Sequence, residues 1–250
     1  MCWIAICHLD SKSPSMEPLS PRRVLWGCNM GWRLNQWTSS DDRVRGGKSQ
    51  SYLDSRGTAA CFHGTLDITT LGGAGFASQR TAGDHLHWDL SSFAGVEVSI
   101  DPSQSDDKVY TLILKDEILP PNASNGREQA TTSWEYDFST SNCRPKIDSP
   151  IPSSCQSVFI PWDHFKPTYR GKLASTPQGL DLSNIRRVSI MIRSFFGSQH
   201  GDFHLHVLSI VAASTAKPAK MPPTVASNGQ QDAQVATEAA VSGNGTRDGC

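Results

Sequence analysis

Residues 89–100 read DLSSFAGVEVSI, and residues 181–192 read DLSNIRRVSIMI. Both stretches begin with Asp-Leu-Ser and continue into a run in which every second residue is apolar. This period of two indicates a strand with one apolar face. The polar turn before each strand is expected to place one apolar side chain in the core, Phe93 in the first copy and Ile185 in the second. The repetition predicts two paired, non-adjacent strands of a β-sandwich. The alternative is a chance match between two common turn-and-strand sequences.

The same alternation recurs through the middle of the chain. It is found in residues 60–68, 108–115, 131–138, 157–162, 187–193 and 202–210. Residues 108–115 (KVYTLILK) are apolar on both faces, which is typical of a central strand. No stretch within 23–212 shows a helical period over ten residues. Many short strands separated by Gly, Pro and Asp therefore predict an all-β fold, a jelly-roll β-sandwich.

The ends of the chain differ in composition from this middle part. Residues 1–22 are rich in Ser and Pro and predict a disordered leader. Residues 213–250 contain no aromatic residue and no apolar periodicity, so they cannot bury enough apolar surface to offset the entropy of ordering. The sequence thus predicts one folded domain over 23–212, followed by a disordered tail.

Composition excludes several classes of function. The 250 residues carry a net charge of −1, which argues against a general nucleic-acid binder and gives no basic patch for an anionic membrane. No apolar run is long enough to span a bilayer. The seven cysteines are odd in number and include no CxxC pair, so neither a zinc ribbon nor a complete disulfide framework is indicated. Cys143 and Cys155 can close a loop, although free thiols in a reducing compartment are the preferred interpretation.

Motifs for catalysis are missing or incomplete. No GxSxG nucleophile elbow occurs. The GGKS at 46–49 is not a phosphate-binding loop, because Asp42 occupies the position where that loop needs its first glycine; a flexible turn is the better interpretation. Five acidic residues are available for acid–base chemistry, but sequence alone cannot show that two of them converge: Asp116, Glu117, Glu128, Glu135 and Asp137. We predict that the protein is not an enzyme and has no cofactor.

Three histidines are candidate metal ligands. His204 and His206 lie two residues apart on one face of a predicted strand, and His200 precedes them. This spacing can present two imidazoles to one metal ion. The other interpretation is that they form the solvent-facing side of an outer strand, opposite apolar residues.

Six tryptophans within 23–212 offer a further possibility: Trp26, Trp32, Trp37, Trp88, Trp134 and Trp162. Exposed indole rings on a β-sandwich can stack on sugars, which keeps a carbohydrate-binding module as an alternative function. The preferred interpretation is that most of these side chains fill the core, because several alternate inward with apolar neighbours.

Several blocks of the sequence resemble one known family, and they occur in the same order as in that family. They are WTSSDDRVRGGKSQSYL (37–53), FHGTLDITTLGGAGFASQR (62–80), WDLSSFAGVEVSI (88–100), YTLILKDEILPPN…NGREQATTSWEYDF (110–138), SVFIPWDHFKPTYRG (157–171) and LDLSNIRRVSIMIRSFFGSQHGDFHLHVLSI (180–210). This is the complex I intermediate-associated protein 30 family, and the chain resembles its stand-alone fungal form. The resemblance covers nearly all of 23–212.

That resemblance implies a galactose-binding-like jelly roll and a role as an assembly factor for NADH:ubiquinone oxidoreductase. The implied partners are subunits of the assembling complex I and other assembly factors, with no nucleic acid and no direct membrane insertion. It also implies a mitochondrial location. The cytoplasm is the alternative, because Asp10 and Glu17 precede Arg22 and Arg23, unlike an Arg-rich presequence.

A charged loop next to the predicted central strand is the expected interaction surface. It comprises Lys115, Asp116, Glu117, Arg127 and Glu128. Dense opposite charges beside a proline-stiffened loop suit protein recognition. The alternative is that Arg127 pairs with Asp116 or Glu117 only to hold the loop in place, a contact worth about 0–1 kcal/mol.

Overall fold

Alternating apolar residues form strands throughout the part of the chain that the computed structural model describes, which is residues 21–140, 144–145, 156–175 and 178–214. The strands are β1 Arg22–Gly27, β2 Trp37–Ser39, β3 Gln50–Arg56, β4 Ala59–Leu66, β5 Phe76–Thr81, β6 Gly95–Ile100, β7 Val109–Lys115, β8 Ser133–Ser139, β9 Arg144–Pro145, β10 Gln156–Pro161, β11 Lys166–Tyr169, β12 Lys172–Leu173, β13 Arg187–Arg193 and β14 Gly201–Ala213. Short 3-10 helices lie at Cys28–Met30, Leu34–Gln36, Asp42–Arg45, Pro102–Gln104, Trp162–His164 and Leu182–Asn184. These residues include no α-helix.

The strands form two antiparallel sheets. In the first sheet the order is β3-β4-β14-β6-β10-β9, and β1 also pairs with β14. In the second sheet the order is β12-β11-β8-β7-β13-β5-β2. Strands that are neighbours in space are often distant in sequence, as in a jelly roll. The predicted all-β jelly-roll sandwich is confirmed.

The core lies between the two sheets. From the second sheet, β7 contributes Tyr110, Leu112 and Leu114, and the first sheet contributes Phe62 and Phe203, all of them buried. The ring centroids of Phe62 and Phe203 are 5.0 Å apart. Strand β7 lies between β8 and β13 and is buried along most of its length. The prediction of a central strand at 108–115 is therefore confirmed.

The two Asp-Leu-Ser turns bind each other, although the strands that follow them do not. Strand β6 lies in the first sheet and β13 in the second, so the prediction that these strands pair is wrong. Instead, Trp88 and Ile185 exchange backbone hydrogen bonds of 3.0 and 2.9 Å, and Leu90 N donates to Leu182 O at 2.8 Å. The repeated motif thus joins the two sheets at one end of the sandwich.

The turns differ in which apolar side chain they bury. In the second copy Ile185 is fully buried, as predicted. In the first copy Leu90 is fully buried, whereas Phe93 is only partly buried against the core. The prediction for Phe93 is wrong because Leu90, directly after the aspartate, occupies the core in the first turn.

A pair of buried aspartates ties the two sheets together at the other end. Asp41 accepts hydrogen bonds from Ser51 Oγ at 2.6 Å and from Ser78 N at 2.9 Å. Ser51 belongs to β3 in the first sheet, and Ser78 belongs to β5 in the second. A Cβ atom at Gly47 would lie 2.3 Å from the Asp42 carboxyl carbon, so only glycine fits there. The GGKS turn is thus built around a buried carboxylate.

Several predictions concern residues outside this part of the chain. The described strands run from Arg22 to Ala213, and the predicted disorder of the leader and the tail remains a prediction. Cys143 and Cys155 also lie outside the described residues. Among the described residues, no helix is long and apolar enough to cross a membrane.

Candidate functional site

The outward side chains of the second sheet form a charged surface, here called the ionic face. On β13, Val188, Ile190 and Ile192 point into the core, so the residues between them point outward. The charged side chains on this side include Arg80, Lys115, Glu135, Asp137, Lys166, Arg187 and Arg193, together with Glu128 from the loop after β7. The sheet surface beneath them is less than one-tenth exposed at Thr111, Ile113, Ser189 and Met191. The charged side chains therefore shield the outward surface of the sheet.

Glu128 is the centre of the first group of ion pairs. Its carboxylate binds Arg80 at 3.0 Å and also binds Arg187. Beside them, Lys115 Nζ donates to Thr131 Oγ1 at 2.9 Å. Burial lowers the pKa of Lys115; Glu128 raises it, and Arg187 and Arg80 lower it. The structure thus brings together two of the residues predicted for the interaction surface, Lys115 and Glu128.

Arg193 is the centre of the second group. Its guanidinium binds Glu135 at 2.6 Å and both carboxylate oxygens of Asp137 at 2.6 and 2.7 Å. Thr168 donates to Glu135 at 2.6 Å, and Thr111 donates to Asp137 at 2.7 Å. Two of the acidic residues considered for acid–base chemistry therefore converge on one arginine. Their oxygens are occupied by donors, an arrangement that holds fixed charges in place.

Three arginines of the ionic face keep an unused donor. Arg80, Arg187 and Arg193 each have a buried Nε–H with no hydrogen-bond partner among the described residues. A buried donor without an acceptor costs about 1–3 kcal/mol. These donors are enclosed by neighbouring side chains, so they belong to the packing of the ionic face and not to its solvent-facing surface.

Residues 116–132, here called the recognition loop, run from the end of β7 to the start of β8 along the ionic face. At the tip of the loop, Asn122 N donates to Arg127 O at 2.8 Å. Nearer its base, Gln129 Nε2 donates to Pro120 O at 2.9 Å. These contacts use backbone and amide groups, and the ion pairs of Glu128 with Arg80 and Arg187 also hold the loop.

The remaining predicted surface residues have different roles in this loop. Asp116 accepts hydrogen bonds from Trp134 Nε1 at 3.2 Å and from Asp181 N at 3.0 Å, so it anchors the base of the loop to the second Asp-Leu-Ser turn. Glu117 and Arg127 are exposed. Within the described residues the Arg127 side chain makes no ion pair, so the loop is held without the Arg127 pair considered above.

The histidines lie on the outward face of the first sheet. His204 and His206 share that face of β14, and register pairing places His63 opposite His204 and Cys61 opposite His206. His200 is exposed in the turn before the strand. Strand β14 has partners on both sides, so the interpretation as an outer strand is wrong. The solvent-facing description fits His204 but not His206, which is 6% exposed.

Cys61, His63, His204 and His206 border a cavity of about 490 Å³. His63 Nε2 lies 2.8 Å from Asp54 Oδ2. In the part of the chain described here, no group of three or more His, Cys, Asp or Glu side chains is arranged to hold a metal ion. The sequence pattern missed His63, because its proximity depends on the pairing of β4 with β14.

The tryptophans are mainly core residues, which is the interpretation that the sequence favoured. Trp26, Trp32, Trp37 and Trp134 are less than one-tenth exposed, and Trp88 and Trp162 are partly buried. Trp26 and Trp88, with ring centroids 4.9 Å apart, line a groove of about 590 Å³. Arg33, Asn35, Gln36 and His85 also line this groove and are exposed. The groove thus combines indole rings with polar groups.

Sequence reasoning missed the arginines of the ionic face. Arg80, Arg187 and Arg193 lie in alternating strands, at positions where an ordinary solvent-facing side chain is expected. The available signal was the combination of Arg187 and Arg193 on β13 with Glu135 and Asp137 on β8. It becomes visible only when β7 is known to lie between those two strands.

Comparisons with solved structures give distant likenesses. The family 11 carbohydrate-binding module of cellulase Lic26A-Cel5E from Clostridium thermocellum is 16% identical, with a TM-score of 0.47 over 78% of this chain and 96% of that chain. The same module in complex with a β-1,3-1,4-mixed-linked tetrasaccharide gives 14% identity and a TM-score of 0.46 over the same shares. At this level of similarity the comparison says nothing about a ligand of this chain.

Sequence comparison gives a much nearer match. The uncharacterized protein C9E9.15 of Schizosaccharomyces pombe is 44% identical over 195 residues, which are 76% of this chain and 83% of that protein. The model of the family described as complex I intermediate-associated protein 30 matches residues 29–207. This range extends from the first 3-10 helix into β14 and includes the ionic face and the recognition loop. The chain therefore belongs to the complex I intermediate-associated protein 30 family, as its sequence blocks predicted.

Proposed function

We propose that this protein is a non-enzymatic assembly factor that binds protein subunits of mitochondrial complex I before the complex is complete. The observation that carries the proposal is the family match over residues 29–207, nearly the whole sandwich. The partners are unfinished subunits and other assembly factors. The location proposed with this function is the mitochondrion.

The ionic face and the recognition loop support binding of a protein partner. Fixed charges of both signs favour correct pairing with a complementary surface and speed encounter. The recognition loop presents Glu117 and Arg127 to solvent, and its internal hydrogen bonds reduce the loop entropy that is lost on binding.

A deletion strain of a fungus that contains complex I tests this proposal directly. We expect mitochondria from that strain to accumulate partial complexes and to lose NADH:ubiquinone oxidoreductase activity, measured by native gel electrophoresis and activity staining. An epitope-tagged full-length chain is expected to migrate with the partial complexes and to be missing from the finished complex.

Two outcomes contradict the proposal. One is a normal amount of finished complex I in the deletion strain. The other is exclusive recovery of the tagged chain in the cytosol. Succinate dehydrogenase activity in the same mitochondria serves as the control, because a general loss of mitochondrial function would lower both activities.

A carbohydrate-binding protein is the second candidate, favoured by the groove beside Trp26 and Trp88. An indole surface next to amide and guanidinium groups suits the apolar faces and hydroxyls of a sugar. Titration with oligosaccharides selected on a glycan array, followed by tryptophan fluorescence, tests this. Saturable binding that is lost in Trp88→Ala supports it, and an unchanged fluorescence spectrum with every glycan rejects it.

A further inference from the structure

The turn between β13 and β14, residues 194–200, holds a phenylalanine almost completely in solvent. Phe196 is 96% exposed. Phe195 and Phe196 have φ angles of 44° and 59°, in the left-handed region that non-glycine residues seldom occupy. Two consecutive bulky residues in this conformation are strained, and such strain is concentrated at functional sites.

The side chain of Gln199 holds this turn in place. Its Oε1 accepts a hydrogen bond from Val109 N at 3.0 Å, and its Nε2 donates to Val109 O at 2.9 Å and to Arg193 O at 2.7 Å. Gly197 N also donates to Ser194 O at 3.0 Å. The strained turn is therefore anchored to the sandwich, with the Phe196 side chain projecting into solvent.

A second loop at the same end of the sandwich presents an apolar residue among basic ones. Val44 is 77% exposed. Arg43, Arg45 and Lys48 are also exposed, and none of them makes an ion pair in the described ranges of the chain. Residues 43–48 thus add three unpaired positive charges, although the whole chain has a net charge of −1.

Phe76 and Arg193 lie between the two loops and contact both of them. The guanidinium of Arg45 lies 5.6 Å from the centre of the Phe76 ring. Phe76 pairs with Arg193 across β5 and β13, and the Arg193 guanidinium lies 4.8 Å from the centre of the Phe195 ring. Residues 43–48 and 194–200 are thus linked through Phe76 and Arg193, and together the two loops are here called the tip surface.

Acidic groups at this end of the sandwich neutralise the positive charge of residues 43–48 only in part. Asp41 and Asp42 are buried and receive hydrogen bonds from serine side chains. Asp67 accepts hydrogen bonds from Thr69 Oγ1 and from Thr70 N. Asp107 is exposed on the loop before β7. Asp202, exposed just after the turn, accepts a hydrogen bond from Thr65 Oγ1 at 2.7 Å, and Asp137 binds Arg193. Most carboxylates at this end thus have donors of their own, whereas Arg43, Arg45 and Lys48 make no ion pair within the described residues.

We propose that the tip surface contacts the surface of an anionic lipid bilayer. Phe196 and Val44 enter the boundary between headgroups and acyl chains, and Arg43, Arg45 and Lys48 bind the headgroup phosphates. Two projecting apolar side chains on convex loop tips suit a fluid bilayer, which deforms around them. A protein partner needs a matching pocket for each. This contact is separate from the recognition loop and holds whether or not the partners are complex I subunits.

Co-sedimentation of the full-length protein with vesicles tests the proposal. We expect binding to vesicles of phosphatidylcholine and phosphatidylglycerol in equal parts, and much weaker binding to phosphatidylcholine alone. Phe196→Gly is expected to lower the partition coefficient about tenfold, because burial of the ring is lost. Glycine adopts the left-handed conformation freely, so this variant keeps the turn. Lys48→Gln is expected to lower the partition coefficient about fivefold at low salt.

Two further variants control the experiment. Phe196→Trp keeps a large aromatic ring and is expected to bind as the wild type does, with a blue shift of its fluorescence. Leu173→Ser removes a 78% exposed apolar residue at the edge of the second sheet and is expected to leave vesicle binding unchanged. Equal binding of wild type and Phe196→Gly overturns the proposal, as does a wild-type protein that binds neither kind of vesicle. If Phe196→Gly weakens binding of a protein while the wild type ignores vesicles, the tip surface is a protein contact.

Discussion

Asp42 is completely buried, yet its carboxylate has donors on both oxygens. Ser49 N donates at 3.0 Å, Ser49 Oγ at 2.7 Å and Phe76 N at 3.2 Å. Because these donors belong to chain segments that lead into different sheets, one side chain holds two parts of the fold in register. A buried carboxylate that is fully hydrogen-bonded in this way stabilises a unique arrangement.

Asp42→Asn is expected to lower the free energy of unfolding by about 2–4 kcal/mol, because an amide NH₂ group replaces one acceptor and faces a donor. Urea unfolding followed by intrinsic fluorescence measures the change. Asp107→Asn, at an exposed position with no side-chain contact in the described residues, is the control and is expected to change stability by less than about 0.5 kcal/mol. Equal stability of Asp42→Asn and the wild type would contradict this account of the buried carboxylate.

His206 gives the fold a dependence on pH. Burial lowers its pKa from the ordinary value of 6.5; Arg56, His204 and His63 lower it as well, while Asp101 raises it. The unfolded chain therefore binds the proton more readily than the folded chain. Stability is present in full above about pH 6.5 and falls as the pH drops through the lower pKa of the folded state.

We expect His206→Gln to lose less stability than the wild type between about pH 7.5 and about pH 5.5. Thermal unfolding at both pH values measures this difference. His204→Gln replaces a neighbouring histidine whose side chain is 54% exposed, and it is expected to retain most of the wild-type pH dependence. An identical pH dependence for His206→Gln and the wild type would show that other groups cause it.

At this scale the sequence predicted little of the buried polar network. Asp41 and Asp42 lie in the polar run SSDDRVRGGKSQS (39–51), which resembles a surface loop because no apolar period marks it. The close fit of Gly47 against Asp42 arises from tertiary folding. Lone arginines in alternating strands were equally ambiguous, because a solvent-facing arginine and a buried ion pair have the same local pattern.

At the scale of elements, the repeated Asp-Leu-Ser turn is a connector between sheets. Asp89 accepts hydrogen bonds from Ser91 N and Oγ at 2.9 and 2.6 Å, and Asp181 does the same for Ser183 at 3.0 and 2.6 Å. Each turn is thus stabilised locally before the two meet. The backbone exchange between Trp88 and Ile185 then fixes their distance.

The two copies provide a matched pair of substitutions. Leu90→Ala is expected to cost about 2–5 kcal/mol of unfolding free energy, because Leu90 is fully buried. Leu182→Ala, at the equivalent position of the second copy, is expected to cost about 1 kcal/mol, because Leu182 is only partly buried. Chemical denaturation of both variants measures the difference. Equal costs would show that both leucines bury similar area.

Strand positions were predictable from sequence, but their partners were not. Residues 108–115 and 187–193 are long, strongly apolar runs, so their strand character follows from local pattern. Whether β6 pairs with β13 depends on contacts between residues about ninety positions apart, which no local period encodes. Likewise, the choice between Leu90 and Phe93 depends on how the turn rotates against the opposite sheet.

At the scale of the whole molecule, the jelly roll separates two kinds of surface. The ionic face lies on the outside of the second sheet, and the histidines lie on the outside of the first. The recognition loop follows the central strand β7, so a rigid scaffold supports the exposed residues Glu117 and Arg127. A substitution on the loop can therefore change binding without changing the fold.

Arg127→Glu is expected to leave the melting temperature unchanged and to lower the recovery of complex I subunits with the tagged protein several-fold. The physical reason is that Arg127 has no ion pair among the described residues, while its charge faces solvent. Arg56→Glu, at an exposed position on edge strand β3, is the control and is expected to retain the partners. Loss of both partners and stability in Arg127→Glu would indicate a structural role instead.

The family and the fold class were predictable from the sequence because many blocks match in order and nearly every strand has a period of two. The candidate site was predictable only in part. Lys115 and Glu128 were found because they flank a charged loop, whereas Arg80, Arg187 and Arg193 required the order of strands in the second sheet. Long-range register brings those charges together, and one sequence does not contain that register in readable form.

The thirteen-residue strand β14, Gly201–Ala213, forms ladders with β1, β4 and β6. It is synthesised last among the described strands, and one of its neighbours, Arg22–Gly27, is synthesised first. The first sheet is therefore incomplete until the ribosome has translated residue 213, so closure of the sandwich is expected to be among the last steps of folding.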